Sequence, residues 1–133
     1  MGHLLIVEDN MADLELAYAA LEVSDLQCEV QVARNGTEAL DVLEGSSTCP
    51  DLMLLDLNMP RMNGYEVLAA VRANPAWREV PVVIFTTSNA AQEREACLAA
   101  GADDYVVKPE RFETLIETFN GLGRRWLSEE RCA

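Results

Sequence analysis

The sequence predicts a doubly wound α/β sandwich, a five-stranded parallel sheet with helices on both faces. Three observations predict it. Short apolar runs without polar alternation, such as Leu4-Leu5-Ile6-Val7 and Val82-Val83-Ile84-Phe85, have the pattern of strands buried on both sides. Segments with apolar residues at helical spacing lie between these runs. The 133 residues suffice for one such unit with a full core and are too few for two ordinary domains.

The elements follow in order. After the first strand, Leu4 to Val7, the residues Met11, Leu14, Tyr18 and Leu21 mark one helical face, with Asp9 or Asn10 as the N-cap. Cys28, Val30 and Val32 alternate as a second strand, and Asn35-Gly36 turns the chain into a helix carrying Ala39, Leu40 and Leu43. The loop from Gly45 to Pro50 leads to a third strand, Leu52 to Leu55. Asn63-Gly64 opens a helix with Val67, Leu68 and Val71 that closes near Asn74-Pro75. A fourth strand follows Pro81, and an alanine-rich helix runs from about residue 90 to a natural C-cap at Gly101. Tyr105 to Val107 form a short fifth strand ending at Lys108-Pro109. The last helix spaces Phe112, Leu115, Ile116, Phe119, Leu122 and Trp126 as one apolar stripe. Gly121 and Gly123 weaken it by about 1 kcal/mol each relative to alanine.

Composition narrows the function. Half the residues are hydrophobic and a quarter charged, the balance of a soluble globular protein. No apolar run reaches the length of a membrane span, and Met1-Gly2-His3 begins neither a signal peptide nor a myristoylation motif. These features point to the cytoplasm. A net charge of −13 repels phosphate backbones, so nucleic acid is not an expected partner. The four cysteines, Cys28, Cys49, Cys97 and Cys132, are widely spaced and accompanied by a single histidine, which argues for reduced thiols rather than a sulfur-ligated metal.

In an open parallel sheet, ligands collect at the carboxyl ends of the strands. Here the first strand ends in Glu8-Asp9-Asn10, the third in Asp56, the fourth in Thr86-Thr87 and the fifth in Lys108. Two like charges ~4 Å apart repel by about 4 kcal/mol at an effective dielectric near 20, so Glu8, Asp9 and Asp56 require cations. Lys108, the only lysine in the chain, supplies one positive charge. Clustered oxygen ligands with room for water suit Mg²⁺ for the remainder. Taken singly, each feature is an ordinary strand-end or loop residue; their coincidence at one edge is what makes a site.

The motifs Val7-Glu8-Asp9-Asn10, Leu55-Asp56-Leu57-Asn58-Met59-Pro60, Phe85-Thr86-Thr87 and Val107-Lys108-Pro109, in this order and spacing, resemble those of response-regulator receiver domains. The resemblance covers nearly the whole chain. It implies the flavodoxin-like strand order 2-1-3-4-5, with a receiver over residues 1–127 and a short tail over 128–133. It also implies that Asp56 accepts a phosphoryl group from a histidine kinase, and that Asp9, Asp56 and the Asn58 carbonyl bind Mg²⁺, with Glu8 acting through water. Thr86 and Lys108 would contact phosphoryl oxygens, and Tyr105 holds the place of a rotating switch aromatic coupled to Thr86. Such a protein is not a dedicated enzyme, although it assists its own phosphotransfer and dephosphorylation.

Rival readings fit less well. An aspartate-nucleophile phosphatase of haloacid-dehalogenase type wants an acid two residues after the nucleophile, where this chain has Asn58. A flavodoxin-like electron carrier needs a hydroxyl- and glycine-rich phosphate loop, not Glu8-Asp9-Asn10. A degenerate receiver would lack acidic positions that are filled here. No output domain is expected after the fifth helix, so output is expected through protein contacts or relay to a histidine phosphotransfer protein. Residues 74–81 and the final helix most resemble small regulators paired with bacterial phytochromes. Leu122, Trp126 and Leu127 are expected to lie beyond the sheet, with Phe112, Ile116 and Phe119 serving the core. That would leave an apolar surface for a homodimer on the face of the fourth helix, fifth strand and fifth helix.

Overall fold

The computed structural model describes residues 2–46, 48–59 and 62–127, so the expected tail over 128–133, with Cys132, lies outside the described residues, as does Pro60. Five strands, β1 (Gly2–Val7), β2 (Cys28–Ala33), β3 (Leu52–Leu55), β4 (Val82–Thr86) and β5 (Asp104–Val107), alternate with five helices. The helices are α1 (Met11–Val23), α2 (Gly36–Gly45), α3 (Gly64–Ala73), α4 (Ala91–Ala99) and α5 (Phe112–Leu122). All strand pairs are parallel and their order is β2-β1-β3-β4-β5, as the resemblance implied.

Period-two side-chain alternation divides each central strand between two cores. Leu4 and Ile6 of β1, Leu52 and Leu54 of β3, and Val83 of β4 face α1 and α5. Their neighbours Leu5, Val7, Met53, Leu55, Val82 and Ile84 face α2, α3 and α4, together with Trp77 and Val80 from the connection before β4. Burial on both sides explains why these strands read as uninterrupted apolar runs.

Asparagines start three helices. The side chains of Asn10, Asn35 and Asn63 accept from the backbone N–H groups of Asp13, Glu38 and Glu66, at 3.0, 2.8 and 3.0 Å. Asn10, rather than Asp9, is thus the first cap, and Glu66 completes a capping box with Asn63. By contrast, α4 begins at Ala90 without a side-chain cap and buries only Cys97 fully. It ends at Gly101, whose φ of 112° favours glycine. At that end the Arg72 guanidinium donates to the carbonyls of Gly101, Arg78 and Val80 and to the Asp103 carboxylate, tying α3 to the segments before β4 and β5.

Two helix faces are rotated from expectation. In α1 the packed residues are Leu14, Ala17 and Ala20, while Met11 and Tyr18 are exposed. Small alanines bring the helix close to the sheet, and the bulky side chains flank the contact. In α5 the packed residues are Leu115, Phe119 and Leu122, with Ile116 half-buried and Phe112 exposed. The chain then passes through a π-helical turn, Gly123–Leu127, which returns it to β1. Leu122 and Leu127 are consequently only 4% and 6% exposed, and Trp126, half-buried, packs against the same core. The apolar surface expected beyond the sheet is therefore used inside the chain. These three residues do not form an open dimer surface.

Removing the Phe119 ring leaves a cavity between α5 and the sheet. Phe119→Ala is expected to cost about 3–5 kcal/mol in urea unfolding, whereas Phe112→Ala and Tyr18→Ala each cost less than about 1 kcal/mol. Equal losses at residues 112 and 119 would contradict the observed phase of α5.

Candidate functional site

Hydrogen bonding continues one residue beyond the strand ends and fixes the backbone of the site. Glu8 N donates to Ala33 O at 3.0 Å, Asp56 N to Val7 O at 3.1 Å, and Lys108 N to Thr86 O at 2.6 Å. The parallel strands β1, β3 and β5 therefore present Glu8, Asp56 and Lys108 at one carboxyl edge. Gly64 closes against the same loop: a Cβ there would lie 2.5 Å from the Asp56 carbonyl oxygen, so a side chain would displace the backbone of Asp56.

The expected charged residues meet. Ligand oxygens of Glu8, Asp9 and Asp56 lie within 4.8 Å of one another. The Lys108 ammonium contacts Glu8 Oε1 at 2.5 Å and stands 3.8 Å from Asp56 Oδ2. Its third partner is Asp13 Oδ2 at 2.8 Å, a residue within α1 that the pattern of strand ends does not point to. Glu8 and Asp56 are only 4% and 6% exposed. Burial, reinforced by the neighbouring Asp56 carboxylate, raises the Glu8 carboxyl to about 7 despite the opposing pull of Lys108. Burial alone would lower Lys108, but hydrogen bonds to Asp13 and Glu8 and the charge of Asp56 raise it above its ordinary value.

These residues fit a hard divalent cation. All the nearby ligands are oxygens, and one ammonium cannot balance the carboxylates around it. Glu8 is buried beneath Asp9, Asp13, Asp56 and Lys108, which border an open cleft of about 600 Å³ lined also by Asn10, Asn58 and Thr87, with room for a hydrated ion and a phosphoryl-sized group. Asn58 lines it as expected, and its backbone N–H donates to Asp56 Oδ1 at 3.3 Å.

The hydroxyl and aromatic residues sit deeper. Thr86 is fully buried at the end of β4, with its Oγ1 accepting from Ser88 N at 3.3 Å, so Thr87 is the threonine that lines the cleft. The ring of Tyr105, expected to turn inward when the site is phosphorylated, is already inside and 4% exposed. Its hydroxyl lies 2.8 Å from Ser88 O and 2.7 Å from Glu93 Oε1, two acceptors that compete for one proton. Arg94 lies over the ring, 5.9 Å from its centroid, and donates to the Tyr105 carbonyl. Burial and the Glu93 carboxylate both raise the phenol above its ordinary value. Successive residues of α4 thus hold the aromatic in place.

Known proteins share this arrangement. The sequence profile of the response regulator receiver domain matches residues 4–120. Response regulator Rcp1 of Synechocystis is 33% identical over 129 residues, covering 93% of this chain and 88% of its own. Its Mn²⁺-bound crystal structure superposes with a TM-score of 0.84 at 32% identity, covering 97% of this chain and 96% of that one. The phosphorylated cyanobacterial phytochrome response regulator RcpA gives a TM-score of 0.86 at 33% identity, covering 96% and 94%. With its sheet order, its acidic edge and a family match over most of its length, this chain belongs to the response regulator receiver domains of two-component signalling.

Proposed function

We propose that Asp56 is the phosphoacceptor of this receiver and that a sensor histidine kinase supplies the phosphoryl group. One observation carries the reading: a buried Asp56 carboxylate shares its cleft with two further acidic ligands and a lysine ammonium. In the transfer, a carboxylate oxygen of Asp56 attacks phosphorus, the phosphorus–nitrogen bond of a phosphohistidine breaks, and the imidazole leaves with a proton. Asp9, Asp56 and the Asn58 carbonyl would hold Mg²⁺, with Glu8 acting through water. When bound, the ion supplies positive charge for the phosphoryl oxygens.

The chain's own residues do the rest. The ladder bonds fix Asp56, Lys108 offers a charge on a flexible stem, and Thr87 or a reoriented Thr86 offers a hydroxyl to the phosphoryl oxygens. Water admitted by the open cleft would later hydrolyse the acyl phosphate and restore the carboxylate. The Tyr105 grip on α4 is the element that the phosphorylated site would loosen or reset, biasing one of two arrangements.

The phytochrome regulators among similar structures support a phytochrome-type kinase as the partner. The net charge of −13 favours protein partners over nucleic acid. No helix among the described residues is long and apolar enough to cross a membrane, and a cytoplasmic kinase domain would meet the receiver in the cytoplasm. A homodimer at the β5 edge would use exposed Leu98, Val107 and Phe112 from α4, β5 and α5, since Leu122 and Leu127 are buried.

Acetyl phosphate or a cognate kinase is expected to label the wild type only with Mg²⁺ present, and Asp56→Asn to abolish acid-labile, aspartyl-phosphate labelling. Undiminished labelling of that variant would overturn the assignment. Because Glu8 carries its proton up to about 7, Mg²⁺ binding is expected to release it. Affinity should therefore rise between about pH 6 and about pH 8, by at most about tenfold per unit for one proton, and Glu8→Gln should flatten this rise. Without metal the sign is opposite for folding: stability falls as pH climbs from 4.5 toward about 7, where the unfolded chain has released a proton that the fold retains. At the switch, Tyr105→Phe removes both hydroxyl contacts at a cost of about 0.5–1.5 kcal/mol. That variant and Glu93→Gln should shift α4 amide resonances, and beryllofluoride with Mg²⁺ should move the same amides in the wild type. A silent region over residues 86–106 would remove the switch role.

A further inference from the structure

Lys108 is held by two kinds of carboxylate. Glu8, at 2.5 Å, and Asp56, at 3.8 Å, both belong to the acidic group suited to a divalent cation. Asp13, at 2.8 Å, lies outside that group. A cation entering among Glu8, Asp9 and Asp56 must take oxygens that the ammonium now uses, and the two positive charges repel each other at short range. Asp13 is the contact that Lys108 can keep.

Asp13 is well placed for this. Its backbone N–H donates to the Asn10 cap at 3.0 Å, which sets the residue in the first turn of α1. Asp13 lines the cleft, and its carboxylate is bridged across 95 residues of sequence by Lys108. The Lys108 backbone, in turn, is fixed to Thr86 O at 2.6 Å, so only its stem needs to swing.

We propose that Asp13 is a positioning residue that receives Lys108 when a divalent cation enters, allowing metal and lysine to occupy one cleft together. The inference rests on the reading of the cleft as a divalent-metal site and adds how that site is kept compatible with its own lysine. Without Asp13, the ammonium keeps only Glu8 and Asp56 as anionic partners among the described residues, and it competes with the metal for both.

The test is a double-mutant cycle read by calorimetric titration with Mg²⁺ alone. Asp13→Asn is expected to weaken binding by about fivefold when Lys108 is present and by less than about twofold in a Lys108→Ala background. Asp13→Glu, which keeps the charge, should retain most of the affinity. Equal losses in both backgrounds would mean a simple charge effect and would overturn the proposal, as would no loss at all. A second measurement uses single variants only. Lys108 is the sole lysine in the sequence, so ¹³C-lysine labelling gives one ε-methylene signal. At saturating Mg²⁺ that group should remain restrained in the wild type and become mobile in Asp13→Asn; equal mobility in the two would also overturn the proposal. A wild type that binds no Mg²⁺ would refute the metal site and this inference together. Binding without coupling between residues 13 and 108 would refute the role of Asp13 alone.

Discussion

More negative charge converges on the carboxyl edge of the sheet than a single ammonium can neutralise, and the remainder of the molecule is arranged around that imbalance. Asp9, Asp13 and Asp56 share the cleft with Lys108, and buried Glu8 contacts the same ammonium. Such a cluster would spread apart if its backbone were free. It is kept together because β1, β3, β4 and β5 are parallel and bonded in register up to and past their last residues, with β3 and β4 enclosed between the two cores. The apolar cores above and below the sheet thus sustain a local electrostatic cost. A cation or a phosphoryl group can then act on charges that are already in position, without first ordering them.

The same division of labour explains why the helices are held so differently. Three begin at asparagine caps, and α1 and α5 lie against a continuous apolar surface. The start of α4 lacks a side-chain cap, and only one of its residues is fully buried. Its grip on Tyr105 is polar, through Glu93 and Arg94. Polar contacts with alternative acceptors can be exchanged at small net cost, whereas a buried leucine cannot be moved without leaving a void. The element nearest Tyr105 is therefore the one that can respond.

The sheet and most of the site were legible in the sequence. A parallel strand buried on both faces writes itself as an unbroken apolar run, and the candidate site residues follow directly at the strand ends, as Asp56 follows Leu52–Leu55. Helix phase was less legible. In α1 the contact with the sheet is made by Ala17 and Ala20, which carry little hydrophobic signal, while Met11 and Tyr18 carry a strong one and lie outside. In α5 the π-helical turn at Gly123–Leu127 changes the spacing, so a single stripe drawn through Trp126 misassigned Phe112, Leu122 and Leu127. Asp13 carries no such signal, because an acidic residue in a first helical turn has an ordinary role toward the helix dipole. Only the fold shows that Lys108 reaches it.

Arg72 gives the molecule a mechanical asymmetry. By binding the carbonyls of Gly101 and Val80 and the carboxylate of Asp103, it pins the tail of α4 and the entrances to β4 and β5 to the end of α3. The head of α4 lacks a side-chain cap, and it is held through the exchangeable contacts of Glu93 and Arg94 with Tyr105. A helix fastened at one end behaves as a lever with its fulcrum at the fastening. At 1.5 Å per residue the 9 residues of α4 span about 13 Å, so a tilt of about 10° would carry the free end through about 2 Å while the fulcrum hardly stirs. Movement begun at the acidic edge would then be largest at that end of α4 and would fade toward the Arg72 fastening, leaving the other end of the sheet undisturbed.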